Sequence, residues 1–250
     1  MPPRYAAHDS TAGESCPPYR GAMHGDADLA TPARLMGEPA RAVMLVALLD
    51  GRSLPASELA AIAGVKPPTA SAHLAQLVEG GLLVDRRLGR HRYFALAGPE
   101  VADAVEALQR IAPRRPVSSY RQSTTAARLA EARSCYDHLA GRVALRLADA
   151  LVAEGAIAPL EAGADGRILP AAGESGTLAA RLHVDEVEPG GRRPAVRGCL
   201  DWTERRPHVA GRLGAHLLEA VLAEGWVSRI PGDRSLRVTD AGRAALATLG

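Results

Sequence analysis

Cys135-Tyr136-Asp137-His138 and the stretch from Cys199 through Asp201, Trp202 and Glu204 to His208 concentrate two thiols, two imidazoles and three carboxylates in this 250-residue chain. Thiolate sulfur and imidazole nitrogen are natural ligands of zinc and other soft divalent metals, and a thiol at a helix start is held toward its reactive thiolate. Cys135, Asp137, His138, Cys199, Asp201, Glu204 and His208 are therefore candidates for holding a metal ion such as zinc, or a small-molecule effector. The spacing fits no zinc signature, because Cys-x-Asp-His is not Cys-x-x-Cys. An inert assignment stands beside the chemical one: free cysteine is often buried, and histidine–carboxylate pairs commonly cap helices. Trp202 and Trp226 suit either the wall of an organic-ligand pocket or a core.

A duplication must position these residues. His138 to Ile157 aligns without gaps with His208 to Val227: the histidine, Ala-Gly-Arg and Ala-Glu-Gly recur in register, and most other positions exchange like for like. Each copy, 138–173 and 208–242, reads as a helix, a glycine-bearing hairpin and a helix start. A single unit cannot bury its apolar face alone, so the two are expected to pack as a pair with the duplicated helices side by side. Gly141 and Gly211 are read as small residues that let helices approach closely, with Arg142 and Arg212 beside them. From Thr124 to Glu154 the chain is nearly free of helix breakers and predicts one long helix, or two around Gly141.

A related pattern lies upstream. Pro67 and Pro68 fall where a first helical turn has no intrahelical partner for its N–H groups, so a helix starts there. Ala70, Leu74, Leu77 and Val78 lie on one side of it, leaving Thr69, Ala72 and Gln76 on the other. Such a short uncharged face can approach base edges in a major groove, where glutamine pairs with adenine and methyl groups touch thymine. Gly80-Gly81 stops the helix, and two apolar strand-prone runs, 82–84 and 93–96, follow. Between them, residues 85–92 carry four arginines against one aspartate, a basic hairpin tip suited to phosphates. A short helix over 57–64 precedes, as the first half of a helix-turn-helix would.

Residues 29–112 resemble the ArsR/SmtB-type family of bacterial winged-helix transcription regulators. The resemblance is carried by Leu29-Ala30-Thr31-Pro32-Ala33-Arg34, Ser57-Glu58-Leu59-Ala60, Ser71-Ala72-His73-Leu74 and the glycine-then-hairpin wing. It implies a homodimer built from the first and last helices of this domain; Val101, Val105, Leu108 and Ile111 supply an apolar stripe after the wing. Many relatives carry metal-binding cysteines on the helix before the recognition helix. Here that helix reads Pro55-Ala56-Ser57-Glu58-Leu59 and has none, so any sensing chemistry must lie elsewhere. The whole chain resembles longer ArsR-type regulators whose carboxy-terminal extension holds a Cys-x-Asp-Trp-x-Glu-Arg stretch.

Composition frames these readings. A net charge of +2 and a hydrophobic share of 47% are ordinary for a soluble protein, so DNA affinity must come from local clusters. Lys66 is the sole lysine and asparagine is absent, which points to a GC-rich bacterial genome. The chain lacks an apolar run of about eighteen residues and a signal-peptide core, and its three cysteines suit a reducing compartment; a cytoplasmic protein is expected. The expected class is mainly α with small β-hairpins (α+β). Its parts are a mobile tail over 1–28, with Met23 an alternative start to Met1; a winged helix-turn-helix over 29–112; a linker over 113–123; and a sensor domain over 124–250.

The expected function is a homodimeric, sequence-specific repressor that binds double-stranded DNA. Helix 67–79 enters the major groove, the wing 85–92 sits on phosphates, and an effector in the carboxy-terminal domain releases it. Lys66, Thr69, Ser71, Gln76, Arg86, Arg87, Arg90 and Arg92 are the expected DNA contacts. Two alternatives remain at this point: an enzyme using Cys135 or Cys199 as nucleophile, and a winged helix used only for protein contacts. The absence of Gly-x-Gly, Gly-x-Ser-x-Gly and His-Glu-x-x-His argues against an enzyme, and the arginines argue against a protein-only module.

Overall fold

The computed structural model describes residues 27–89, 91–113, 120–187, 190 and 193–249. The predicted tail, except residues 27 and 28, most of the predicted linker, and Arg90 lie outside these. The first half holds α1 (Ala30–Met36), α2 (Pro39–Ala47), β1 (Leu54–Pro55), α3 (Ala56–Ala63), α4 (Pro67–Glu79), β2 (Leu83–Leu88), β3 (His91–Leu96) and α5 (Pro99–Ile111). Its antiparallel sheet runs β1-β3-β2. Helix α4 has the bounds read from the sequence, with Pro67 and Pro68 in its first turn. Ala70, Leu74 and Leu77 face a core that includes Met44, Leu48, Leu59 and Phe94, each burial worth roughly 1.5–3 kcal/mol for a large aliphatic side chain. Val101 and Val105 pack on this core, whereas Leu108 and Ile111 on the same stripe remain exposed.

The second half adds α6 (Tyr120–Glu131), β4 (Arg133–Cys135), β5 (His138–Ala140), α7 (Arg142–Ala153), β6 (Asp165–Gly166), α8 (Leu178–Arg181), β7 (Val196–Leu200), β8 (Pro207–Ala210), α9 (Gly211–Ala223), β9 (Val227–Ile230), β10 (Asp233–Val238) and α10 (Asp240–Ala247). Two sheets form, in the orders β5-β4-β10-β9 and β6-β7-β8. A second core gathers Leu147, Leu151, Leu213, Leu217, Val221 and Trp226. The protein is thus mainly helical with small antiparallel sheets.

Three expectations change here. The stretch from Thr124 to Glu154 forms two helices, the second starting directly after Gly141, but an unforeseen β4–β5 hairpin separates them, because Ser235 pairs with Arg133 across the sheet and the Tyr136 N–H donates to the Leu49 carbonyl. Long-range partners override the local helix propensity. The repeated unit is better described as hairpin–helix, β4-β5-α7 and β7-β8-α9, with α9 lying on β5 and α7 on β8. Each helix thus lies on both hairpins, its own copy's and the other's. Downstream the copies diverge: β9 and β10 form a regular hairpin, while in the first copy only an Ile157–Ile168 bridge remains and β6 pairs with β7.

Gly141 and Gly211 are also reassigned. Each joins a strand to a helix at positive φ, +90° and +80°, and a Cβ there would meet backbone oxygens of Glu131 and Pro194 at 2.8 Å. Backbone conformation and a close chain approach, not helix–helix packing, select glycine.

Candidate functional site

Two surfaces matter: the outer face of α4 with its wing, and the buried thiol–imidazole cluster. Lys66, Thr69, Ser71, Ala72 and Gln76 are exposed on or just before α4. Ser71 Oγ donates to the Pro67 carbonyl at 3.0 Å, and Gln76 Oε1 accepts from Arg41 Nη1 at 2.7 Å. The Gln76 side-chain oxygen is therefore already engaged by Arg41, which competes with bidentate reading of adenine. The wing strands run further into the arginine stretch than the apolar runs suggested, pairing Arg86 with Tyr93 and Arg87 with Arg92. Arg86 and Arg87 are exposed. Arg92 is spent internally: its Nε donates to Asp85 Oδ2 at 2.8 Å and its guanidinium lies 5.3 Å from the centre of the Phe94 ring.

In the cluster, strand register does what sequence spacing concealed. Cys135 and His138 are cross-strand partners in β4–β5, and Cys199 and His208 are cross-strand partners in β7–β8. One hairpin has a tight turn at Tyr136-Asp137 and the other a long one from Leu200 to Pro207, yet each presents one thiol beside one imidazole. The duplication sets the pairs face to face. Cys135 Sγ and Cys199 Sγ are 4.0 Å apart, the imidazole centroids are 5.2 Å apart, and one donor atom from each of the four residues lies within 4.8 Å of the others. His138 Nε2 and both ring nitrogens of His208 are buried with no hydrogen-bond partner.

Three acidic residues named with them take other places. Asp137 Oδ1 stands behind His138 Nδ1 at 3.5 Å and the carboxylate pairs with Arg193, which overcomes the burial penalty and holds it down at about 2. Asp201 Oδ2 stands behind His208 Nδ1 at 3.8 Å. Asp201 accepts from Arg133 Nη2 at 2.9 Å, from the Gly141 N–H at 2.8 Å and from Thr203; against its burial, Arg133 and Thr203 bring it to about 2. Glu204 faces Arg142 at 3.7 Å, away from the cluster. The cysteines lie on strands, so no helix start tunes them. Instead Cys199 is drawn toward thiolate by its contact with Cys135 and by the two imidazoles, while burial pushes Cys135 up. Burial disfavours a charged His138, but its contacts with Asp137 and Cys199 raise it to about 9; burial lowers His208.

Comparison with known proteins bears on the first of these surfaces. A family model described as a helix-turn-helix domain matches residues 36–86. A curated relative, the uncharacterized HTH-type transcriptional regulator YdfF of Bacillus subtilis (strain 168), is 39% identical over 219 residues, which is 87% of this chain and 95% of that protein. The chain belongs to the ArsR-type helix-turn-helix transcriptional regulators. Because the match spans 87% of the chain, this regulator shares with YdfF sequence beyond the winged helix, well into the carboxy-terminal extension. Two solved structures are similar over the winged helix: reduced HlyU from Vibrio cholerae (27% identity, 34% of this chain and 87% of that one, TM-score 0.31) and the cadmium metal-sensor CMTR from Mycobacterium tuberculosis (35% identity, 37% and 100%, TM-score 0.29).

The regulator also contains a site residue that sequence reading missed. Glu106, on α5, is 3% exposed, and its Oε2 lies 3.3 Å from Cys199 Sγ. Burial, and then the neighbouring Cys199 charge, raise it to about 7. Nothing local marks it, since a glutamate in an amphipathic helix normally faces water. Trp202 and Trp226 separate as well. Trp226 is buried in the second core, and Trp202 lies half-buried beneath the Arg133 guanidinium, 5.0 Å from the ring centre.

Proposed function

We propose that this regulator is a homodimeric repressor of the bacterial cytoplasm, with residues 29–112 as the DNA reader and 124–250 as the receiver of a signal. Thr69, Ser71, Ala72 and Gln76 of α4 meet base edges; Lys66, Arg86, Arg87, Arg90 and Arg92 serve the phosphates, with Arg92 contributing least because of Asp85. Leu108 and Ile111 leave α5 with an exposed apolar end that suits a second copy. An effector acts at the Cys/His cluster and releases DNA.

The observation that carries this reading is the position of Glu106: α5 ends the reader, and its one buried carboxylate touches the cluster of the receiver. A second contact helps, since Tyr136, in the turn between Cys135 and His138, packs on the reader's core. A change in the cluster therefore bears directly on the reader. Of the described residues, no helix is long and apolar enough to cross a membrane.

The test is fluorescence anisotropy with a duplex selected by the protein from a random pool, alongside sedimentation for assembly state. Expected are a dimer, and an effector-dependent rise in DNA Kd of about tenfold or more. A monomer that binds DNA with full affinity, or a Kd indifferent to every treatment of the cluster, would overturn the reading.

A further inference from the structure

We propose that Cys135, His138, Cys199 and His208 bind one soft divalent metal ion of the zinc class as a closed tetrahedral site with two sulfur and two nitrogen donors. The proposal deepens the receiver reading and depends on it only for the effect on DNA.

Four independent features support the site. The first is reach. Zinc bonds of about 2.0–2.3 Å place tetrahedral ligand atoms roughly 3.3–3.8 Å apart. With the four donor atoms within 4.8 Å of one another, the set closes by side-chain adjustments of about 1 Å or less. The second is unmet bonding. His138 Nε2 and both His208 ring nitrogens are buried without partners, a costly arrangement that a metal relieves by bonding one nitrogen of each ring. The third is orientation. Asp137 Oδ1 lies 3.5 Å from His138 Nδ1, which favours a proton there and leaves Nε2 for the metal, as carboxylates do behind zinc-bound histidines, and Asp201 lies 3.8 Å from His208 Nδ1. The fourth is charge. Two thiolates and a divalent cation sum to zero, so loading leaves no net charge in a buried place.

Access and topology agree with this. Two adjoining pockets of about 380 and 620 Å³ are both lined by Asp103 and Glu106 of α5, the first reaching Cys199 and the second Cys135 and His138. Binding would release thiol protons through this route. Because each repeat supplies one Cys/His pair, the ion joins β4–β5 to β7–β8, and Glu106 lies against one of its sulfurs. Four protein ligands leave no open position, so the site is one of structure and signal and not of hydrolysis.

The test uses the full chain, reduced and stripped by chelator, titrated with Co(II) and then with Zn(II). One Co(II) per chain is expected, with sulfur-to-cobalt charge-transfer absorption and the intense visible bands of tetrahedral coordination, all displaced by Zn(II). Cys199→Ser should cut the charge-transfer intensity by about half, one of two thiolates being lost. His208→Cys exchanges one donor for another, so it keeps four ligands and should strengthen that band, which guards against variants that merely unfold. Absence of a charge-transfer band at one equivalent of Co(II), or a band unchanged in Cys199→Ser, overturns the site. The DNA arm separates the two claims: if Co(II) binds as described but DNA Kd is equal with and without metal, the site stands and the release reading falls.

Discussion

Arg133 and Asp201 are both fully buried, and they meet across 2.9 Å in a pair that also holds the Gly141 N–H and the Thr203 hydroxyl. Such a pair is a poor stabiliser against an apolar substitute, but removing one member strands the other's charge. Asp201→Ala is therefore expected to cost about 3–5 kcal/mol in urea unfolding of the metal-free protein, and a loss below about 1 kcal/mol would show that Arg133 finds another partner. The carboxylates also set an acid limit. Asp137 and Asp201 sit at about 2 in the folded protein against an ordinary 3.8, so the stability they give is fully present above pH 4 or so and is lost as pH falls toward 2. On their account the urea midpoint should drop as pH falls from about 4 toward 2, less steeply in Asp201→Asn.

Among the elements, the wing divides its arginines. Arg86→Ala with Arg87→Ala should weaken binding to every duplex and reduce the salt slope by about 2, whereas Arg92→Ala, already paired with Asp85, should change the slope by well under 1; equal slopes would refute the division. The α4–wing unit was readable because its determinants are local: a proline pair, a 3.6-residue apolar period, two glycines and a basic tip. The β4–β5 hairpin was not, since Arg133 to Ala140 lies in alanine-rich sequence and becomes strand only by pairing with β10 and resting on Leu49. The cluster fell between these cases. Residue types exposed its four residues among seven candidates, but cross-strand register, not spacing, brings Cys199 to His208. Glu106 was invisible because its burial depends on the whole second half lying against α5.

At the scale of the molecule, a metal joining the two repeats should act as a ligand of the native state alone. Zinc at a hundredfold over its Kd is expected to add about 2.7 kcal/mol and raise the thermal midpoint by several degrees; the gain should vanish in Cys135→Ser with Cys199→Ser, and shrink as pH falls because thiols must ionise first. An equal rise in that double variant would place the stabilising ion elsewhere. The crossed packing of the repeats, α9 on β5 and α7 on β8, has a consequence for how the chain is made. During synthesis the first hairpin and α7 leave the ribosome with neither α9 nor β8 to cover them, and Arg133 waits for Asp201, 68 residues downstream. The amino-terminal reader, by contrast, has its own core as soon as α5 has emerged. A nascent chain thus acquires its DNA-reading surface before its thiol–imidazole cluster, and a prematurely terminated one would carry the reader without that cluster.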